Sequence, residues 1–184
     1  MTSYLVLLRG INVGGRNRLP MAELRAVLEN LGFSNVSTYI ASGNVLLDSD
    51  LTAAKVASTI EDALPKTFKL DAELIRIAVL TRAELEAVIE RRPKGFGDEP
   101  GKYHSDAIFL MGIDADEAMA VFSPRDGVDT VWPGTSVIYS QRRSAERTKS
   151  RLNRIMATPA YASMTIRSWQ TTLALLELLR GRGG

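Results

Sequence analysis

A loop rich in glycine and arginine carries the first residues that could bind an anion. It lies in LLRGINVGGRNRLP, residues 7–20, where an apolar strand leads through the loop to a proline that opens a helix. The free N–H groups of a first helical turn and the helix dipole favour negative charge. Adjacent glycines let a ligand approach the backbone, and arginines supply forked donors to phosphate or carboxylate. We therefore predict an anion-binding loop with the ligand residues Arg9, Asn12, Gly14, Gly15, Arg16 and Arg18.

The same loop also has a simpler interpretation. Its sequence is neither the phosphate-binding pattern G-x-x-x-x-G-K-[ST] nor the dinucleotide fingerprint G-x-G-x-x-G. The glycines could serve only to turn the chain, with the arginines solvated, since basic residues are usually exposed. Ser42 and Asn44 in the later segment Ser42-Gly43-Asn44 are further ligand candidates, although the positive φ that a hairpin turn requires explains these residues equally well.

A basic segment in the last quarter of the chain supplies the second candidate site. In SQRRSAERTKSRLNRI, residues 140–155, Ser144 is a suitable N-cap for a helix that we predict over residues 145–157. Arg147 and Lys149 crowd the positive end of that helix, where each cation costs roughly 0.3–1 kcal/mol. An anionic partner would offset this repulsion. A solvated charge run, screened by salt, is the alternative.

Three later residues could join such a site or be purely structural. Arg167 ends a predicted strand and is followed by Trp169 at the start of the last helix. The indole could stack on a nucleobase or anchor the helix in the core. We predict that His104 is a surface histidine, because no G-x-S-x-G elbow surrounds any serine that it could activate.

Composition excludes several classes of site. The 184 residues are 45% hydrophobic and include no Cys and one His, so disulfides, thiol nucleophiles and sites with two imidazoles are excluded. We expect no metal centre and no cofactor, although this composition stays compatible with magnesium bound by carboxylates. No apolar stretch approaches the roughly 20 residues of a membrane helix, and the run Tyr4–Leu8 is too short for a signal peptide. We therefore expect a cytoplasmic protein without membrane contact.

The first half of the chain predicts the element order βαββαβ followed by a helix. Apolar residues recur at helical spacing after Pro20, and Val56, Ile60 and Leu64 do so again in a helix that we expect to start at Ser49 or Asp50 and to end at Pro65. Strands are expected over residues 4–11 and 74–80, with a hairpin centred on Gly43. The spacing of Thr81 and Glu84 indicates a capping box that opens a further helix.

The second half repeats this order after an irregular segment. Expected there are a strand over 106–112, a helix from Asp114, a hairpin over 129–140, the helix over 145–157, a strand over 162–167 and a helix over 169–179. The predicted fold is therefore α+β, a tandem duplication of a ferredoxin-like βαββαβ unit, each with an extra C-terminal helix. We predict subdomains over residues 1–92 and 104–184, joined by a linker over 93–103.

Three motifs resemble those of the DUF1697 family. They are LLRGINVGGRNRLPMAELRAVLENLGF, TYIASGN and TIRSWQTTLALLELL. Where the family usually has R-N-W-N-T, this chain has R-S-W-Q-T at residues 167–171. Members of this family are mostly bacterial. The resemblance implies two ferredoxin-like subdomains in one chain, and it implies no catalytic residues.

Three functions are compatible with these residues. The first is binding of a phosphate-bearing ligand, either a nucleotide or a nucleic-acid backbone, by the basic loops. The second is hydrolysis of a phosphorylated or acyl-phosphate molecule, by fold analogy with acylphosphatases, in which the loop arginines hold the phosphoryl oxygens and Asn44 orients a water. The third is a protein interaction module. The sequence leaves the oligomeric state open.

Overall fold

Two four-stranded antiparallel sheets form the framework of the protein. The computed structural model describes residues 1–183. By its internal contacts the chain divides into a first unit, residues 1–85 with the C-terminal residues from Leu175, and a second unit, residues 86–174. The division falls inside two helices, so the predicted subdomain boundaries stay a prediction.

The helices and strands follow one another as expected for a duplicated unit. The first seven are β1 (Thr2–Leu8), α1 (Met21–Asn30), β2 (Ser34–Tyr39), β3 (Asn44–Ser49), α2 (Ala53–Thr67), β4 (Ile77–Thr81) and α3 (Arg82–Glu90). The remaining six are β5 (Tyr103–Leu110), α4 (Ala115–Met119), β6 (Asp129–Pro133), β7 (Val137–Arg143), β8 (Met164–Ser168) and α5 (Trp169–Arg180). The strand orders are β2-β3-β1-β4 and β6-β7-β5-β8, which are the same order in the two sheets. This repeated topology confirms the tandem ferredoxin-like fold.

The core of the first unit forms where two amphipathic helices cover one face of the sheet. Leu24 and Leu28 of α1 are fully buried, as are Val56, Ile60 and Leu64 of α2. They pack in one cluster with alternate residues of β1 and β3, because side chains two apart on a strand share a face. Burying each such side chain contributes about 1.5–3 kcal/mol. The apolar spacing therefore predicted these five buried residues, whereas Leu31, which the same spacing predicts on the core face of α1, is 37% exposed.

The ends of α2 differ from the prediction. The expected start at Ser49 or Asp50 is wrong, because Ser49 belongs to β3 and the side chain of Thr52 caps the helix by accepting the Lys55 N–H at 3.3 Å. Pro65 does not end the helix, which continues to Thr67. A proline removes only one intrahelical hydrogen bond, because it lacks its own N–H. The other bonds of the last turn can still form after Pro65.

The predicted helix over residues 145–157 is wrong. Its place is taken by short 3-10 helices over Ser144–Lys149 and Leu152–Ala157, and a third follows over Pro159–Ser163. At the break, the carboxylate of Asp129 accepts the Ser150 hydroxyl at 2.6 Å and the Arg151 N–H at 2.8 Å. Such side-chain hydrogen bonds compete with the backbone hydrogen bonds of a helix. The segment before the break has no buried residue whose packing would stabilise a helix.

The helices α3 and α4 both have N-terminal side-chain caps, and the first of these is the predicted Thr81–Glu84 box. The N–H of Glu84 donates to Thr81 Oγ1 at 3.2 Å, and Glu84 Oε2 accepts the Thr81 N–H at 2.8 Å, which completes the capping box of α3. At α4 the side chain of Asp114 accepts the Glu117 N–H at 2.8 Å. The cap therefore holds even though α4 is only five residues long.

Arg182 fastens the C-terminal residues to the first sheet. Its guanidinium lies 3.4 Å from Asp48 Oδ1 and donates to Ser37 Oγ at 2.6 Å. Asp48 also accepts hydrogen bonds from Ser3 at 2.6 Å and from Asn35 at 3.1 Å. Burial by itself raises the pKa of Asp48, but these bonds and the arginine charge outweigh it and hold the pKa below its usual value.

We expect Asp48→Asn to reduce stability in a pH-dependent way. A carboxyl whose pKa is lower in the folded state stabilises the fold above its unfolded pKa, and this contribution disappears as pH falls through the folded value. Urea titrations should give a loss of about 1–2 kcal/mol at neutral pH, as expected for hydrogen bonds to a charged group, and a smaller loss near pH 3. Asp62→Asn, at an exposed position on α2, is the control. Parallel pH curves for the two variants would contradict the role of Asp48.

Candidate functional site

The opening loop is a miniature hairpin between β1 and α1. The Asn12 N–H donates to the carbonyl of Asn17 at 3.1 Å, and the Arg16 N–H donates to Val13 O at 3.0 Å. Between them Gly14 and Gly15 have φ of +59° and +74°. Two consecutive left-handed residues are the backbone of a type I′ turn, for which glycine is strongly preferred. The paired glycines therefore make a tight turn, and the turn exposes its tip.

Asn12 braces this hairpin from inside. It has φ of +54°, and its amide nitrogen donates to Leu19 O at 2.9 Å and to Ala41 O at 2.8 Å. Its side-chain oxygen accepts the Leu19 N–H at 2.8 Å. The side chain predicted to bind a ligand thus joins both ends of the loop and connects it to the turn that precedes β3.

Asn17 is a residue of the loop that the sequence analysis did not single out. It is 9% exposed, with φ of +48°. Its side-chain oxygen accepts the N–H groups of Asp71 and Ala72 at 2.9 and 3.0 Å, and its amide nitrogen donates to Gly10 O at 3.0 Å. Its own N–H donates to Asp71 Oδ2 at 2.6 Å. The available signal was an asparagine at a turn, since asparagine tolerates the left-handed region.

The arginines that follow the turn are presented at the surface. Arg16 and Arg18 are exposed, and a Cβ added to Gly15 would lie 3.7 Å from Nη2 of Arg18. Pro20, the N-cap residue of α1, provides no side-chain cap for the first helical turn. Arg9 is half-buried, and its backbone N–H donates to Arg76 O at 3.0 Å. One loop therefore combines an exposed guanidinium group, a turn of two glycines without side chains, and a helix N-terminus without a side-chain cap.

The hairpin turn with Ser42 and Asn44 lies beside this loop. The carbonyl of Gly43 accepts the Leu8 N–H at 2.8 Å, and Asn12 reaches the same turn through Ala41. Asn44 is fully buried, and its amide nitrogen donates to Tyr39 O and to Ser42 Oγ, both at 3.0 Å. The side chain of Asn44 therefore holds the turn together through these hydrogen bonds.

The residues predicted in the basic segment lie in the second unit. Arg147 is exposed, and Lys149 is 3.6 Å from Glu146. Because residues 144–149 form a 3-10 helix with non-helical φ and ψ at Glu146, the expected α-helical N-terminus at Ser144 is absent. The dipole argument for an anion at Ser144 is therefore wrong.

Arg167 and Trp169 are buried in the second unit. Arg167 donates to Thr165 Oγ1 and to Ile166 O, both at 2.9 Å, and burial lowers its pKa to about 10. Trp169 is 4% exposed and packs edge-on against Phe96, with ring centroids 5.0 Å apart. Phe96 is fully buried although it lies in the irregular segment predicted as a linker, and it also contacts Tyr139. The indole is therefore part of an aromatic cluster in the core.

His104 borders a small cavity of about 160 Å³ in the second unit. The cavity is lined by residues of the segment before β5, by the start of β5 and by the first turn of α5. The side chain of His104 is 43% exposed, as expected of a surface histidine, and Nε2 lies 3.1 Å from Asp106 Oδ1. Burial raises the pKa of Asp106, partly offset by the charges of His104 and Arg142.

Within residues 1–183 no group of three or more His, Asp or Glu side chains is placed to hold a metal ion. Each helix in that range is too short or too polar to span a bilayer.

Comparison with known proteins places the chain in a family. The family model described as "Protein of unknown function (DUF1697)" matches residues 1–139. The chain belongs to the DUF1697 family. A solved structure, the conserved bacterial protein SP0830 from Streptococcus pneumoniae, is similar to it with 27% identity and a TM-score of 0.78. The match covers 97% of this chain and 98% of that one. A search of curated proteins gives no match. The family match thus covers the first 139 residues, and the fold shared with the solved structure covers 97% of the chain.

Proposed function

We propose that this DUF1697 protein binds a phosphate-bearing ligand, a nucleotide or a nucleic-acid backbone, at the opening loop. The observation that carries the proposal is the position of Arg18, whose guanidinium lies beside the exposed Gly14-Gly15 turn. An oxyanion at this turn would meet backbone N–H groups and a forked cationic donor together. Val13, 64% exposed at the same tip, offers an apolar contact to the remainder of such a ligand.

The bracing of the loop supports this proposal. Asn12 and Asn17 fix the hairpin through six side-chain hydrogen bonds, so the tip is ordered before a ligand arrives. A preorganised loop loses less conformational entropy on binding, which increases affinity. A turn that only reversed the chain would not need this framework behind exposed arginines.

The proposed hydrolytic alternative has no comparable support. Asn44, the residue expected to orient a water, is buried and its amide nitrogen is engaged within its own hairpin. The serines near His104 are engaged as well, because Ser105 donates to Gln141 Oε1 at 2.8 Å and Ser168 donates to Thr171 Oγ1 at 3.0 Å. We therefore favour binding over catalysis.

We expect Arg18→Ala to weaken the binding of ATP by about tenfold, the effect of losing one charge-assisted hydrogen bond. Isothermal titration calorimetry would measure the dissociation constant, which should also rise between about 50 and 200 mM salt. Arg25→Ala is the matched control, because it removes the same charge from an exposed arginine that pairs with Glu29 on α1. A short single-stranded oligonucleotide tests the nucleic-acid form of the ligand. Equal affinities for the two variants with both probes would refute the proposal.

A further inference from the structure

One buried carboxylate in the second unit is surrounded by the backbones of three arginines. Asp129, the first residue of β6, is 7% exposed and accepts the N–H groups of Arg125 at 2.9 Å and Arg151 at 2.8 Å. It also accepts the hydroxyl of Ser150 at 2.6 Å. Arg142 is its partner across the β6–β7 ladder. We call Arg125, Arg142 and Arg151 the Asp129 arginine cluster.

The side chains of this cluster share an uncommon property. In each of Arg125, Arg142 and Arg151, Nε is buried without a hydrogen-bond partner, and within residues 1–183 no other side-chain nitrogen or oxygen is in that state. Buried donors in folded proteins nearly always have partners, and an unpaired one costs about 1–3 kcal/mol, or more when charged. Because the backbones of these three residues meet at Asp129, three such donors point to a partner that carries several acceptor oxygens.

Asp129 does not supply that partner. Its carboxylate is occupied by two backbone N–H groups and a hydroxyl, and no ion pair joins it to a guanidinium in the described part of the chain. The charge of Arg142 also acts on Asp106, so two carboxylates stand against three guanidinium groups. The same segment adds four further cationic residues and one Glu, because residues 142–154 contain six Lys or Arg, of which Arg142 and Arg151 belong to the cluster. The cluster therefore carries an excess of positive charge, and its three Nε–H groups have no hydrogen-bond partner.

We propose that the Asp129 arginine cluster binds the phosphate group of a small molecule. A tetrahedral phosphate offers enough oxygens to accept hydrogen bonds from three guanidinium groups, and arginine forms two parallel bonds to such an oxyanion. Rotation about the side-chain bonds lets Nε–H and a terminal N–H turn toward the same group. All residues of this site belong to the second unit, whereas the opening loop belongs to the first.

NMR of the arginine Nε–H groups tests this proposal directly. In the full chain at low salt, inorganic phosphate should shift the Nε–H resonances of Arg125, Arg142 and Arg151 in a saturable way. Arg151→Gln should weaken phosphate binding about tenfold, equivalent to 1.4 kcal/mol. The variant should fold, because Arg151 holds Asp129 through its backbone N–H and not through its side chain.

The controls separate this site from the opening loop and from general charge effects. Arg147→Gln removes an exposed arginine of the same segment and should change phosphate affinity less than threefold. Arg18→Ala should leave the three shifts intact, so failure of one proposal does not imply failure of the other. The proposal is overturned by unsaturable shifts, by equal weakening in Arg151→Gln and Arg147→Gln, or by shifts that only a single-stranded oligonucleotide produces.

Discussion

Gly97→Ala is expected to lower the free energy of unfolding by about 3 kcal/mol. Gly97 has φ of +77°, and a Cβ at this position would lie 2.5 Å from both Cδ1 and Nε1 of the Trp169 ring. The ring cannot retreat easily, because it is 4% exposed and packs against Phe96 and Tyr139. A left-handed alanine costs roughly 1–2 kcal/mol and overpacking a further 1–3 kcal/mol. Urea denaturation followed by tryptophan fluorescence measures the loss.

Gly95→Ala separates the two causes of this loss. Gly95 has φ of +83°, but no atom lies within 4 Å of its Cβ position. This variant should therefore lose only the backbone contribution of about 1–2 kcal/mol. Near-ultraviolet circular dichroism should show altered aromatic packing in Gly97→Ala and not in Gly95→Ala. Equal losses of stability in both would mean that the contact with Trp169 is unimportant.

Asn17→Ala is expected to destabilise the protein by about 3 kcal/mol through lost hydrogen bonds, in addition to the strain of a left-handed alanine. The substitution leaves three backbone groups without their partners, namely the N–H groups of Asp71 and Ala72 and the carbonyl of Gly10. Each lost bond in a partly buried setting costs about 1 kcal/mol. Chemical denaturation gives the stability, and limited proteolysis should find new cleavage between Gly10 and Pro20 as the hairpin loosens.

Asn35→Ala is the matched control for backbone conformation. Asn35 has φ of +50°, almost the value at Asn17, but it is exposed and its amide nitrogen makes one hydrogen bond, to Asp48. The strain of a left-handed alanine is therefore common to both variants. If Asn35→Ala were as destabilising as Asn17→Ala, the backbone conformation and not the three hydrogen bonds would explain the effect.

Local patterns predicted most of the fold. The apolar spacing in α1 and α2, the Thr81–Glu84 box and the glycine turn before β3 each depend on residues close in sequence, and each is present. The exception is the segment after β7, where the decisive contact is the bond from Ser150 to Asp129. Those residues are 21 positions apart. The spacing of residues within 145–157 therefore could not predict this contact.

The candidate site was less predictable for the same reason. The sequence identified the arginines and glycines of the opening loop, but the loop is held by Asn17, whose partner Asp71 is 54 residues away. Likewise Phe96 lies between glycines and looked like part of a linker, although it contacts Trp169. Among the three arginines near Asp129, Arg142 reaches it through the β6–β7 ladder, and Arg125 and Arg151 through backbone N–H bonds to its carboxylate.

The fastening of Arg182 to Asp48 and Ser37 has a consequence for folding during translation. The first sheet is complete once Thr81 has left the ribosome, because its last strand is β4. Domains generally fold in order of synthesis, starting from the N-terminus. The nascent sheet must therefore persist without the contacts of Arg182 while about one hundred further residues are made. Ribosome-bound chains that stop before Arg182 should accordingly fold the first sheet but unfold under a lower pulling force than released protein.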